Sequence, residues 1–365
     1  MTLQVRLTHR FAGFDLDVAF DAPPGLTVLF GPSGSGKTTV VNAVAGLLRP
    51  DAGRIAVDDW VLTDSALRRH LPPHRRRLGY VFQEGRLFPH LSVRQNLLYG
   101  RWFAPRDATA PDLDRVVQML GIGRLLARRP GTLSGGERSR VAIGRALLAA
   151  PRLILADEPL AALDEARKAE ILPYFERLRD EAGVPILYVS HSSAEVARLA
   201  TTVVALRAGR VAAIGPPAQV LGDAGAVGAD TASVLTARVA GHDEDGLTRL
   251  QTGAGPVFVA RLDAPPGTHV RLRVGARDVI LSRDRPQGLS ALNILAGRIA
   301  AITAEEGPNA QVVLTVGSDT LTARLTRRSV AAMGLAPGQP CHAILKTVAV
   351  AAGDIGALHA VPPAT

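Results

Sequence analysis

Gly31-Pro32-Ser33-Gly34-Ser35-Gly36-Lys37-Thr38 fits Gly-x-x-x-x-Gly-Lys-Thr without a mismatch. Leu26–Phe30 before it is a short β-branched and aromatic run that reads as a buried strand. Thr38 to Gly46 after it reads as a helix. Glycines let the backbone fold round a phosphate chain with successive N–H groups pointing inward, and the helix dipole adds its positive end below. Lys37 then reaches the β- and γ-phosphates, and the Thr38 hydroxyl takes a place on Mg²⁺, with Thr39 opening the helix beside it. The stretch predicts a nucleoside-triphosphate site in an α/β domain.

Three further strand ends carry polar residues. Gln83 follows the strand ending at Phe82 and has the chemistry to bind Mg²⁺ or orient a water. Leu153 to Pro159 is a buried strand closing on two carboxylates, Asp157 for Mg²⁺ and Glu158 as general base. His191 ends the strand Val184–Ser190, placed to contact a γ-phosphate. In an open α/β sheet that edge is where ligands bind. Leu133-Ser134-Gly135-Gly136-Glu137 opens a strongly helical segment and supplies a second phosphate-binding helix end. One nucleotide does not need two such ends from one domain, so this one is expected to complete the site of another subunit. Ala162-Leu163-Asp164 reads as a loop crossing that interface.

Around these motifs, residues 1–30 alternate as an antiparallel pair. Phe11 is read in its turn, either stacking on an adenine face or simply packed. Gly85 to Leu91 is an apolar loop read as exposed, which points to a protein partner. Ser92 caps one helix, and Leu113, Val116, Val117 and Leu120 give a second its apolar face.

The chain has 365 residues, 47% hydrophobic and 21% charged, enough for two or three domains with real cores. Cys341 is its single cysteine, which excludes an intrachain disulfide or a cysteine metal cluster. The net charge of +9 comes mostly from scattered arginines without aromatic interleaving, so no nucleic-acid partner is expected. No run approaches the ~20 apolar residues that span a bilayer, and the start lacks a signal-peptide core. The chain is expected in the cytosol or held on a membrane by something else.

Taken together, the P-loop, Gln83, Leu-Ser-Gly-Gly-Glu, Leu-Ala-Asp-Glu-Pro, Ala-Leu-Asp and His191 resemble the nucleotide-binding subunits of ABC transporters over residues 1 to about 230. Ser139 stands where glutamine is common and Ala156 where leucine is usual; neither removes a catalytic group. The resemblance implies a RecA-like core with antiparallel β and helical subdomains. It also implies a head-to-tail homodimer with ATP and Mg²⁺ between each P-loop and the partner's Ser134-Gly135-Gly136-Glu137. Such a dimer works with two membrane permease subunits at the cytoplasmic face, touched by the loop after Gln83, and with a substrate-binding protein indirectly.

Residues 222–234 read as a linker, followed by all-β texture. Ala237–Ala240, Phe258–Leu262 and Pro266–Val270 repeat loosely as Gly297–Ala300, Leu321–Leu325 and Pro337–Pro340, which predicts paired OB-like units. The expected division is an ATPase domain over 1–230, linker and first β unit over 231–289, and a second unit over 290–355. Ser290-Ala-Leu-Asn293-x-Leu-x-Gly297 and Lys346-Thr347 resemble a Mop/TOBE domain, with Ser290 and Lys346 as oxyanion contacts and Leu292 where that pattern often has arginine. The whole chain then resembles the ATPase subunits of molybdate importers, with tungstate as a second cargo. Sulfate, ferric-ion and polyamine importers share the ATPase and carry related β domains. Repair- or ribosome-associated relatives carry a long coiled coil or two cassettes, which this chain lacks. An oxyanion store built on the β unit alone leaves the ATPase motifs unexplained.

Overall fold

Alternating apolar residues make Leu3–Phe11 (β1) and Phe14–Ala22 (β2) an antiparallel pair, with Leu3 opposite Ala22 and Phe11 opposite Phe14. Leu3, Val5 and Leu7 share the buried face with Leu16, Val18 and Phe20. The structure is a computed structural model, described for residues 1–83, 85–104, 111–161, 163–181, 183–223, 227, 231–305, 307–347 and 354–358. It forms two compact units, one of residues 1–192 and 199–216, the other of 193–198 and 217–365.

In the first unit the chain continues through β3 (Leu26–Phe30), α1 (Lys37–Ala45), β4 (Ala52–Val57), β5 (Trp60–Asp64), β6 (Arg69–His70) and β7 (Leu78–Val81). Helices α2 (Val93–Tyr99), α3 (Leu113–Leu120) and α4 (Gly135–Leu148) precede β8 (Leu153–Asp157), α5 (Glu165–Glu181) and β9 (Ile186–Ser190). After α6 (Ser193–Leu199), which belongs almost wholly to the second unit, come β10 (Thr202–Arg207) and β11 (Arg210–Gly215). One 11-stranded sheet has the order β6-β5-β4-β1-β2-β11-β10-β3-β9-β8-β7. Strands β10, β3, β9, β8 and β7 run parallel, so the residues following β3, β9, β8 and β7 all emerge at one edge. Strands β3, β8 and β9 are apolar without alternation because both faces are covered. Ser92 caps α2 in a reciprocal capping box with Gln95, as its sequence predicts, and Val116 and Leu120 are the buried residues of α3.

The second unit opens with α7 (Pro217–Gly222) and then runs β12 (Ala232–His242), β13 (Leu247–Thr252), β14 (Gly255–Ala260) and β15 (His269–Gly275). Strands β16 (Ile280–Ser282), β17 (Asn293–Ala304), β18 (Asn309–Val316), β19 (Asp319–Thr326), β20 (Pro340–Leu345) and β21 (Ile355–Leu358) follow. They build two sheets of one design, β14-β13-β12-β15-β21 and β19-β18-β17-β20-β16. In each, three meandering strands are joined by a fourth beside the first and a fifth beyond it. The repeated sequences fall on equivalent strands: β12 and β17, β14 and β19, and the turns into β15 and β20.

The fifth strands are exchanged along the chain. Strand β16 follows directly on the first sheet's β15 yet pairs with β20, while β21 returns from the chain's end to pair with β15. A cut at 289/290 therefore leaves β16 with the sheet it does not pair with. One core, including Leu235, Leu250, Val312 and Leu321, serves both sheets. The linker reading also shifts: Gly222 ends α7 and residues 232–234 already belong to β12, whereas 224–226 and 228–230 lie outside the described residues.

Candidate nucleotide-binding and hydrolytic site

The P-loop joins β3 to α1. Gly31 at φ +152° has no room for a side chain, because a Cβ there would strike the carbonyl oxygen of Leu206. Lys37 is buried at the first turn of α1, and its Nζ donates to the carbonyl oxygens of Gly31 (2.8 Å) and Pro32 (2.9 Å). Burial lowers its pKa, opposed by the charges of Glu158 and Asp157. Ser35 Oγ is buried without a hydrogen-bond partner in the same loop. A cleft of about 430 Å³ opens here, lined by Phe11, Phe14, Ser33, Gly34, Gly36, Lys37, Thr38, Thr39 and Glu158. A buried ammonium turned back on its own loop, an orphaned hydroxyl and a helix N-terminus fit a phosphate chain.

Phe11 ends β1 instead of occupying the turn, and is edge-on to His9 at 4.4 Å between centroids. It remains part-exposed at the cleft wall, with Phe14 6.3 Å away.

At the end of β8, Asp157 and Glu158 sit in different surroundings. Burial, then the neighbouring Glu158 charge, raises the Asp157 pKa, while a hydrogen bond from Tyr80 and the charge of Lys37 pull it down. Tyr80 Oη donates to Asp157 Oδ2 at 3.4 Å. Glu158 has φ +44°, a strained conformation for a glutamate, held by its N–H bonding to the Val189 carbonyl (3.2 Å). Its Oε1 lies 3.4 Å from His191 Nδ1. Parallel β8 and β9 thus bring together two residues that the sequence placed at separate strand ends. Gln83 stands exposed beyond β7 at the same edge, one residue further from the strand than the sequence placed it, and it does not line the cleft.

The Ser134–Glu137 stretch opens α4, as its sequence predicts. Ser134 caps α4: its Oγ accepts from the Glu137 N–H (3.2 Å), and Glu137 Oε2 accepts from the Ser134 N–H (2.9 Å). Ser134 is exposed and Gly136 buried, and none of residues 134–137 lines the cleft of its own chain. The Glu137 carboxylate is engaged in capping, which lowers its pKa through the Ser134 N–H first and then Arg128 and Arg124. Ala162 lies outside the described residues; Asp164 accepts from the Arg167 N–H (2.9 Å) at the start of α5.

The two residues read as oxyanion contacts lie just outside the paired ends of β17 and β20, where Asn293 stands opposite Leu345. Ser290 is exposed in the loop before β17, while Lys346 borders a cavity of about 10 Å³ with Arg273, Asp278 and Asp354. Arg273 pairs there with Asp354 at 2.8 Å. Leu292 is exposed. Asn293 is fully buried and structural: its Oδ1 accepts from the Phe258 N–H (2.7 Å) and its Nδ2 donates to the Phe258 carbonyl (2.9 Å), tying β17 to β14. Tyr80 and Phe14 join the site unannounced. The available signal was an aromatic in the strand just before Gln83, and one on the buried side of β2.

The ABC transporter family profile matches residues 16–161, and the TOBE domain profile matches residues 289–352. The molybdenum import ATP-binding protein ModC of Mesorhizobium japonicum is 51% identical, over 98% of this chain and 98% of its own length. That of Rhizobium meliloti is 52% identical over 96% of this chain and 99% of its own. Among solved structures, cbiO1 of Clostridium perfringens, part of the ABC transporter complex cbiONQ, superposes with a TM-score of 0.50 at 26% identity, covering 60% of this chain and 90% of that one. No helix among the described residues is long and apolar enough to cross a membrane. By its two matched domains and by half-identical relatives along nearly its whole length, this chain belongs to the molybdenum import ATP-binding proteins of the ABC transporter family.

Proposed function

We propose that this chain hydrolyses ATP to power molybdate uptake, working as a head-to-tail homodimer docked on two membrane permease subunits at the cytoplasmic face of the membrane. The observation that carries the reading is the cleft lined by Lys37 and Glu158, with His191 3.4 Å from the Glu158 carboxylate. The half-identical molybdenum import relatives support the cargo.

The P-loop N–H groups and Lys37 hold the β- and γ-phosphates, with Phe11 against the base. Thr38, Asp157 and Gln83 are the side chains for Mg²⁺, which when bound neutralises charge on the phosphates. Glu158 accepts a proton from the water that attacks the γ-phosphorus, and the bond to the ADP oxygen breaks in line. His191, beside Glu158, holds the γ-phosphate oxygens and then the freed phosphate. Ser134, Gly135 and Gly136 of the partner subunit close the site, with Glu137 securing that helix end. Ser290 and Lys346 are the oxyanion contacts assigned to the second unit.

Glu158→Gln tests the chemistry. Turnover should fall at least about 100-fold while ATP still binds; hydrolysis at the parental rate would remove Glu158 as the base. Equilibrium binding of molybdate, tungstate and sulfate to the full chain tests Ser290 and Lys346. Binding of the first two over sulfate, lost in Lys346→Ala, is expected; no binding by the parental chain sinks that assignment.

A further inference from the structure

Tyr80 sits on β7 beside β8, close to the carboxylates but outside every motif that points to the site. Its hydroxyl donates to Oδ2 of Asp157 at 3.4 Å, leaving Oδ1 free of that bond. The ring behind the hydroxyl is held in turn. Phe82 stacks on it at 3.9 Å between centroids and 15° between planes, and the Arg86 guanidinium lies 4.4 Å over the Phe82 ring. Arg86 is anchored as well, since Arg145 on α4 donates to its carbonyl oxygen (2.8 Å) and to that of Gly85 (3.1 Å). A hydroxyl supported by a stacked and anchored ring is a fixed donor.

A carboxylate that takes part in holding a metal through water must present one oxygen in a defined direction. A donor on its other oxygen sets the plane of the group, and such outer partners tune metal affinity. Burial and the adjacent Glu158 both push Asp157 toward its neutral form, and a donated hydrogen bond favours the ionised form.

We propose that Tyr80 is a positioning residue for Asp157: its hydroxyl fixes Oδ2 so that the carboxylate faces the nucleotide cleft in its metal-binding orientation. The inference rests on the reading of Asp157 as a magnesium-side carboxylate.

Tyr80→Phe keeps the ring and its stack and removes only the donor. In the full chain carrying Glu158→Gln, binding of a fluorescent ATP analogue is followed while Mg²⁺ is titrated. The Mg²⁺ concentration at half-maximal binding should rise about fivefold in Tyr80→Phe. Affinity for the analogue in EDTA and the thermal unfolding midpoint should stay where they are. Phe82→Leu, which keeps the hydroxyl but loosens the ring, should give a smaller rise. In an Asp157→Asn background, Tyr80→Phe should add nothing. An unmoved Mg²⁺ midpoint in Tyr80→Phe, or the same rise with Asp157 already replaced, overturns the proposal. If Asp157→Asn alone leaves Mg²⁺ dependence intact, the reading of Asp157 itself fails, and the role of Tyr80 falls with it.

Discussion

Arg76 brings a full charge to a place with no exposed surface. In the sequence it is the middle of a basic run; in the fold it is a clamp. Its Nη1 donates to the carbonyl oxygens of Ala43 (2.8 Å) and Val44 (2.9 Å) in the last turn of α1. Nε donates to Leu71 O (2.6 Å), and Nη2 to Thr63 Oγ1 (2.9 Å). A cation at the C-terminal end of α1 complements the dipole whose other end opens at the P-loop. Gly46, at φ +80°, leaves the space, since a Cβ there would strike Arg76 Nε. Burial brings the guanidinium pKa down to about 10, which the hydrogen bonds make tolerable. Arg76→Ala should cost about 3–5 kcal/mol by urea denaturation, with Arg76→Lys recovering only part because an ammonium cannot reproduce the fork. Full stability in Arg76→Ala would show that the clamp is idle. Glu137 gives a pH prediction of definite sign. Its folded pKa lies below the ordinary 4.5, so its stabilisation is complete above that value and is lost as the pH falls through the lowered one. Glu137→Gln keeps a capping side chain with no proton to gain. The gap in urea midpoint between parent and Glu137→Gln should therefore narrow on going from neutral to acid; a constant gap would show that the carboxylate charge contributes nothing.

Elements show where a linear reading succeeds. The polar residues at the ends of β3, β8 and β9 were legible because a parallel sheet sends successive strand ends to one edge. The capping of α2 and α4 was legible because Ser-x-x-Gln and Ser-x-x-Glu are local devices. The pairing of β16 with β20 and of β21 with β15 was not, because three-residue Ile280–Ser282 has no signal naming its partner. Arg76 and Tyr80 escaped for a related reason: a charge run or an aromatic in a strand does not reveal what packs against it. Asn293 was noticed as part of a ligand-domain motif, yet its side chain joins β17 to β14. Asn293→Ala would leave the Phe258 N–H and carbonyl without partners, at about 2–4 kcal/mol. Hydrogen exchange at the Phe258 amide should quicken markedly in that variant. An unchanged rate would mean that the two sheets do not depend on this link.

At the scale of the whole molecule, the proposed function gives one chain two halves of a site without joining them. Its cleft has the P-loop and Glu158, with His191 beside Glu158, but the capped end of α4 with Ser134 and Gly136 lines no part of it. Two chains related by a two-fold axis can each supply what the other lacks. That arrangement makes a prediction about mixtures. Lys37→Ala spoils the cleft and leaves the α4 end intact; Ser134→Glu spoils the α4 end, by setting a carboxylate against phosphate, and leaves the cleft intact. Ser134 is exposed, so the change costs the fold about a helix cap and no packing. Each variant alone should be inactive, since every site in its own dimer is spoiled. In a mixed dimer one site combines both faults and the other combines both intact halves. With random pairing an equimolar mixture should recover about a quarter of the parental ATPase rate. A site completed within one chain predicts no recovery at any ratio, and a silent mixture of well-folded variants would rule out the shared site.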